Sequence, residues 1–331
     1  MKKIRNIIII VLLILPSFIY SQYANKTWKN FKFELIAGGG GSAYMGDLGG
    51  GAGDALHYFG AGDWDLSLIR PLAYFGTRIK FLERLSTKFN FAFTYLRGDD
   101  AKSQDKGRFN RNLSFRTPLF ESSIQLEFSI TKDKLKSGRA SKRRRLEIIN
   151  INTYIFVGIG GFYFNPEAQL RNTKTNLLEW HNLQPLGTEG QGIGDNPAQY
   201  SLFQICYPVG LGFKIPVGQI SAIEMEFGYR FTTTDYLDDA SNMYYDNNEI
   251  KLAYGEVAAA LADRHFDVNG NPTDNKYNSG ASIRGNPDYN DGYFFITISY
   301  VHRIATNSRT SRPVRKPLWK GRGNRKWQGK K

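Results

Sequence analysis

The sequence predicts an all-β protein: an eight-stranded, antiparallel, up-and-down transmembrane β-barrel with long outer loops and a basic periplasmic C-terminal tail. Three observations predict it. Segments along the chain alternate apolar and polar residues with period two, as strands with two unlike faces do. Short and long connections follow one another almost regularly. An export signal stands in front of them. Composition agrees, since 14% aromatic residues and 34 glycines at only 41% hydrophobic suit a turn-rich β protein and not a bundle of membrane helices.

The chain opens with "MKKIRNIIIIVLLILPSFIYSQ". A basic start, an apolar run from Ile7 to Leu15, then Pro16 and small or polar residues form the layout of a secretory signal peptide. The run is too short for a membrane-anchoring helix, and Lys26 and Lys29 follow closely. Cleavage is expected after Ser21, with no cysteine there to carry a lipid anchor. The expected divisions are a signal peptide over 1–21, a barrel over 22–303 and a basic tail over 304–331.

Eight strands are expected near 31–45, 71–83, 86–97, 118–132, 149–164, 200–215, 219–234 and 292–303. In "KFNFAFTY", Phe89, Phe91, Phe93 and Tyr95 oppose Lys88, Asn90, Ala92 and Thr94. In "SSIQLEFSI", Ile124, Leu126, Phe128 and Ile130 oppose Ser123, Gln125, Glu127 and Ser129. In "AIEMEFGYRF", Ile223, Met225, Phe227, Tyr229 and Phe231 oppose Glu224, Glu226, Gly228 and Arg230. In "YFFITISYV", Phe294, Ile296, Ile298 and Tyr300 oppose Phe295, Thr297 and Ser299.

The turns after the second and sixth strands, "ERLS" and "PVG", are tight. The joins over 46–70, 98–117, 165–199 and 235–291 are long, and only the fourth join breaks the alternation. An up-and-down barrel gathers alternate joins at one end, and outer-membrane barrels carry short periplasmic turns and long outer loops. Alternation by itself also fits a soluble sandwich with its apolar faces inward. In the barrel, Glu127, Glu224, Glu226, Arg78, Lys80, Lys88 and Arg230 point inward and pair across a plugged lumen, which excludes a wide solute-conducting porin. Within the last long loop, "NEIKLAYGEVAAALADRHF" spaces Ile250, Ala253, Val257 and Leu261 for a short helix over the barrel mouth.

Chemistry is sparse. Cys206 is the single cysteine, so there is no intrachain disulfide, and a small wall or core residue is its expected role. His57, His181, His265 and His302 form no pair of metal-ligand spacing. A Ser–His pair at the outer rim, built on His181 or His265, is the basis of the alternative reading as a lipid-modifying barrel enzyme. "DVNGNPTDNKYN" has calcium-loop acids and amides at its first, third and fifth positions but Pro272 at the sixth and Asn278 at the twelfth, so a turn is expected. The glycines of "AGGGGS" lack a following Lys-Ser or Lys-Thr, and are expected to let neighbouring strands approach. No catalytic residue, metal, cofactor or small-molecule substrate is expected.

"SAYMGDLGG", "GYRFTTTDYLDDASNMYYD" and "RGNPDYNDGYFFITISYVHR" resemble the PorG family, outer-membrane barrels of the type IX secretion system of Bacteroidetes. The resemblance runs from Phe31 to Arg303 and is most specific in "TDYLDD" and "RGNP", while Gly292 stands where a tryptophan is expected. It implies a non-enzymatic barrel that associates with a periplasmic ring, built from a lipoprotein and its ring partner, and supports secretion of cargo and of gliding adhesins. A stand-alone adhesion or stabilising barrel is a further alternative.

The net charge of +14 is concentrated at the C-terminus. From Arg303 to Lys331 there are eleven basic residues and no acidic one. Export removes the nucleic-acid partner such a tail otherwise indicates. With both termini periplasmic, the tail shares a side with "KDKLKSGRASKRRR" in the fourth join. The expected partner surface comprises Arg139, Lys142, Arg143, Arg144 and Arg145 of that join, with Arg312, Arg315, Lys316, Trp319, Lys320, Arg322, Arg325, Lys326 and Trp327 of the tail. Clustered charge of this kind suits an acidic protein surface or anionic lipid headgroups, with tryptophan as anchor.

Overall fold

A computed structural model describes residues 32–49, 68–103, 105–133, 151–172, 175–218, 220–265 and 282–304. Eight long strands form the wall: β1 (Phe33–Met45), β2 (Arg70–Lys80), β3 (Leu85–Asp99), β4 (Ser114–Ser129), β5 (Asn152–Phe164), β8 (Phe203–Pro216), β9 (Ser221–Thr232) and β10 (Gly292–Ile304). Every neighbouring pair is antiparallel, in the order β3-β2-β1-β10-β9-β8-β5-β4, and β4 pairs back to β3. The sheet is therefore a closed eight-stranded barrel. Closure excludes the sandwich, because no free edge of the wall remains.

The last strand meets the first in continuous register, from Phe33↔Ile304 to Met45↔Gly292. Glycines make this seam close. A Cβ at Gly40 would lie 1.8 Å from the Ile296 carbonyl oxygen. The "AGGGGS" stretch is thus barrel wall, as the sequence predicts.

The two faces segregate as expected. Phe91 is 61% exposed on the outside, while Asn90 and Ala92 beside it are buried within. The outward row continues through Phe75, Ile124, Val157, Leu211, Ile223 and Ile298, all exposed. All seven charged residues expected inside are buried there. An apolar exterior around a polar interior inverts a soluble protein and fits a lipid surround. Tyr229 departs from its row. It lies on the outer face but is only 4% exposed, because its ring packs on Phe231 and its hydroxyl fills the place of a Gly292 side chain. A larger residue at Gly292 would displace it.

The lumen is layered. Its outer half is mostly apolar, with Leu96, Leu119, Phe162, Phe164 and Phe295 buried together around the Arg230–Glu121 pair and the Ser42–Thr94 hydrogen bond. That core continues beyond the rim through Leu48, Leu113, Leu183, Leu237 and Leu261 of the outer loops, so the loops form a cap packed on the barrel.

Two features of the cap differ from the sequence reading. The join over 165–199 contains a hairpin, β6 (Glu167–Arg171) and β7 (Leu178–Asn182), which extends the wall at Arg116↔Glu167. Its strands are short and irregularly patterned, so periodicity does not mark them. The expected single helix is two, α2 (Asn247–Tyr254) and α3 (Glu256–Ala262), following α1 (Lys106–Arg111) earlier in the chain. Gly255, at φ 91°, breaks them apart in a conformation few other residues adopt. Ile250 and Leu261 are buried against the cap as the spacing predicts and Val257 is half-buried, but Ala253 is exposed and Ala258 is buried instead, because the break shifts the face of the second helix. Among the described residues no helix is long and apolar enough to cross a membrane.

Candidate functional site

The inner half of the lumen is a closed charge network. Arg78 of β2 reaches three strands, with Nη1 2.8 Å from Glu34, Nε 2.5 Å from Glu127 and Nη2 2.7 Å from Glu224. Lys88 pairs with Glu226, and with Glu127 at 3.2 Å. Tyr154 donates to Glu226 at 2.5 Å. Further out, Arg230 meets Glu121 at 3.3 Å, and Tyr293 donates to Glu121 at 3.0 Å.

The inner mouth is closed by Asp133, from the turn that follows β4. It accepts from Lys80 at 2.7 Å and Arg303 at 2.8 Å, and lies 2.9 Å from Lys214. Burial opposes its ionisation, but Lys214, Lys80 and Arg303 outweigh that and hold its carboxyl well below the usual range. Periodicity could not find Asp133, because it lies beyond the strand and folds back. The acids Glu34, Glu121, Glu127, Asp133, Glu224 and Glu226 thus face an equal number of bases: Arg78, Lys80, Lys88, Lys214, Arg230 and Arg303. Such a lumen is filled and electrically balanced.

The cap brings together the three stretches that carry the family resemblance. The Tyr44 hydroxyl lies 2.6 Å from Asp238 Oδ2 and 2.6 Å from Asp291 Oδ1, and accepts from Asp47 N at 3.0 Å. Asp47 Oδ2 accepts from Asn286 N at 2.5 Å. Arg284 donates to Glu189 at 3.0 Å and to the Asp239 carbonyl. Arg111 of α1 donates to the Asp47 carbonyl at 2.8 Å and to the Arg284 carbonyl at 2.6 Å. "SAYMGD", "TDYLDD" and "RGNP" are therefore one cross-bonded unit over the barrel mouth.

A phenol has one proton, so it cannot donate to both carboxylates. One of the two acids holds a proton and donates it to Tyr44. Burial first, and then Asp47, raises Asp238 to about 8. Burial, and then Asp238 and Asp235, raises Asp291 well above the carboxyl range. Burial and Asp238 raise Asp235 to about 9.

Beside this unit a cleft of about 910 Å³ opens between the loops that follow β5 and β9. Tyr200, Tyr236 and Tyr245 line it, with Met243, Ile283 and Pro287 at its exposed rim. The sequence reading missed it, because the lining comes from separate loops with no shared motif.

The residues expected to bind a periplasmic partner lie outside the described residues. These are Arg139, Lys142, Arg143, Arg144, Arg145, Arg312, Arg315, Lys316, Trp319, Lys320, Arg322, Arg325, Lys326 and Trp327. So do His57 and the turn over 267–278. His265 is buried, with Nδ1 2.8 Å from Asp263 and its ring 5.0 Å from Tyr244. His181 is in β7, paired with Ala168. Among the described residues no group of three or more His, Cys, Asp or Glu is placed to hold a metal ion. Cys206 is fully buried in the barrel wall.

No protein-family model matches the chain, and no curated protein matches it. Among solved structures it is similar to Ail, the attachment invasion locus protein of Yersinia pestis, at 8% identity and TM-score 0.33, over 83% of this chain and 99% of that one. It is similar to Neisserial surface protein A at 6% identity and TM-score 0.35, over 82% and 97%. It is also similar to a major outer membrane protein from Thermus thermophilus at 9% identity and TM-score 0.34, over 82% and 99%. The chain's own hydrogen-bonded closure, with charge inside and apolar residues outside, makes it a membrane-type eight-stranded barrel.

Proposed function

We propose that this chain is a non-enzymatic structural component of the type IX protein secretion machinery. In this reading it sits in the outer membrane with both termini periplasmic, and associates with the periplasmic ring lipoprotein and its ring partner. It supports secretion of cargo proteins and of gliding adhesins.

One observation carries the reading most. The three separated stretches that resemble the PorG family meet in a single buried unit through Tyr44, Asp47, Asp238, Arg284 and Asp291. A resemblance spread over remote segments is more telling when those segments depend on one another in space. The filled lumen fits this role, since it makes the barrel a scaffold and not a conduit. The basic join and tail would provide the ring-facing surface through charge and tryptophan anchors.

The test is deletion of the gene followed by a secretion assay, with cross-linking of the membrane fraction. The expected result is loss of cargo secretion, and copurification with large periplasmic ring proteins that depends on residues 304–331. Intact secretion without a ring partner would refute the proposal. A changed lipid A mass in the deletion strain would point instead to the lipid-modifying enzyme.

A further inference from the structure

The outer wall of the barrel is not evenly covered. Across four neighbouring strands one row is wholly aromatic, with Phe93 of β3, Phe120 of β4, Tyr163 of β5 and Phe203 of β8 in register. Their ring centroids follow one another at 4.5, 6.4 and 4.9 Å, so the rings form a shelf. The shelf stands at the cap end of the wall. Aromatic rows of this kind mark the level where hydrocarbon meets headgroups.

The next row, two residues further from the cap, has almost no side chain at its centre. Phe91, Ser122, Gly161 and Ile205 lie side by side in it. Ser122 and Gly161, both exposed, floor a depression of about 670 Å³ with Phe91 and Ile205 at its sides and the shelf above. Two residues along a strand advance about 7 Å, so this floor lies within the hydrocarbon layer.

Two observations point to an occupant. The first is Gly161 itself. At Gly40, Gly158 and Gly210 a Cβ would run into the backbone of a neighbouring strand, so the wall requires those glycines. At Gly161 a Cβ would meet nothing closer than the Gln204 carbonyl at 3.9 Å. Glycine weakens a strand interior and often marks close approach from outside. No approach within the protein explains this one. The second is the Ser122 hydroxyl, which makes no hydrogen bond among the described residues. On a face surrounded by hydrocarbon an unmet hydroxyl is costly.

The surroundings and the width select the occupant. Lipid is what this wall meets in a membrane. The backbones carrying Phe91 and Ile205 are three strand spacings apart, about 14 Å, and their side chains take up part of that gap. An α-helix with its side chains is about 10–12 Å across and does not reach the floor. An acyl chain does, and its ester carbonyl supplies the acceptor that Ser122 lacks.

We infer that this depression is a lipid site. An acyl chain of an ester-linked membrane lipid lies over Gly161 between Phe91 and Ile205, and its ester carbonyl accepts from Ser122 Oγ. The site rests on the barrel fold and is independent of the secretion role.

The experiment is native mass spectrometry of the full chain in detergent, titrated with diacyl phosphatidylglycerol or with its dialkyl ether counterpart. The expected result is one retained diacyl lipid per chain after the detergent is stripped. Gly161→Leu, which fills the floor, should abolish retention. Ser122→Ala should weaken it about fivefold, the worth of one hydrogen bond, and the ether lipid should bind the unaltered protein as weakly. Thr77→Leu, outward on β2 and away from the depression, should leave retention unchanged. Heat-dependent gel mobility verifies the fold of each variant, and Ser122→Ala with the ether lipid tests the site even where Gly161→Leu does not fold. No retained lipid, retention indifferent to Gly161→Leu, or ester and ether lipids held equally would each overturn the inference. So would a second copy or another protein, lost in Gly161→Leu, in place of the lipid.

Discussion

Tyr44 and Asp291 stand 247 positions apart, yet the Tyr44 hydroxyl lies 2.6 Å from Asp291 Oδ1 and as close to Asp238 Oδ2. This contact ties the end of the first strand to the residue preceding the last strand, above the seam where the barrel closes. Tyr44→Phe removes the hydroxyl and leaves two buried acids and the Asp47 amide short of a partner. The expected cost is about 1–3 kcal/mol in the cap. Limited proteolysis of the loop after β9 should become faster while the barrel keeps its heat-dependent gel mobility. Unchanged proteolysis would refute the role given to Tyr44.

The raised carboxyls make the cap sensitive to alkali. Asp238 and Asp291 bind a proton more tightly when folded than when unfolded. Their contribution is therefore greatest below the ordinary carboxyl range and is lost as pH rises through about 8. The loss is on the order of a few kcal/mol. The protection factor for hydrogen exchange in the loop after β9, which divides out the base-catalysed rise of the intrinsic rate, should fall between pH ~5 and ~9. Asp238→Asn, which is neutral throughout, should flatten that dependence.

Arg78 holds Glu34, Glu127 and Glu224 at once. Arg78→Met leaves Glu127 and Glu224 without their main partner, while Glu34 keeps Lys80, Lys214 and Arg303, at a cost of about 3–5 kcal/mol. The urea midpoint of the folded, fast-migrating band should fall accordingly. Arg78→Lys should recover part of the loss, since one ammonium cannot reproduce the guanidinium fork.

The seam of the barrel depends on Gly40. A side chain there meets the Ile296 carbonyl at 1.8 Å, which is backbone and cannot turn aside. Gly40→Val should abolish the heat-modifiable band, whereas Gly161→Ala, whose side chain would meet nothing closer than the Gln204 carbonyl at 3.9 Å, should retain that band.

Conductance offers a separate check on the lumen. With its charges paired across the interior, the protein in a planar bilayer should show no steady open-pore current. Steady conductance at the level of a porin would contradict the filled interior.

The strands were legible in the sequence because each must satisfy two solvents at once. Phe89 to Tyr95 cannot change face without exposing Lys88 to lipid, so period two is enforced residue by residue. Chain order and loop length then gave the barrel, its seam between the first and last strands, and the inward charges. The expected helix was legible in Ile250, Val257 and Leu261, but not its break at Gly255.

What only the tertiary structure decided are relationships across the chain. Asp133 plugs the lumen because a turn folds back, and no local pattern records that. Tyr44, Asp238 and Asp291 form one unit because barrel closure brings three remote segments to the same rim. Gln191 and Met243 share a cleft because loops after different strands pack on the same apolar core. Periodicity reports which solvent a residue meets, whereas partnership depends on closure, and closure is a property of the whole sheet.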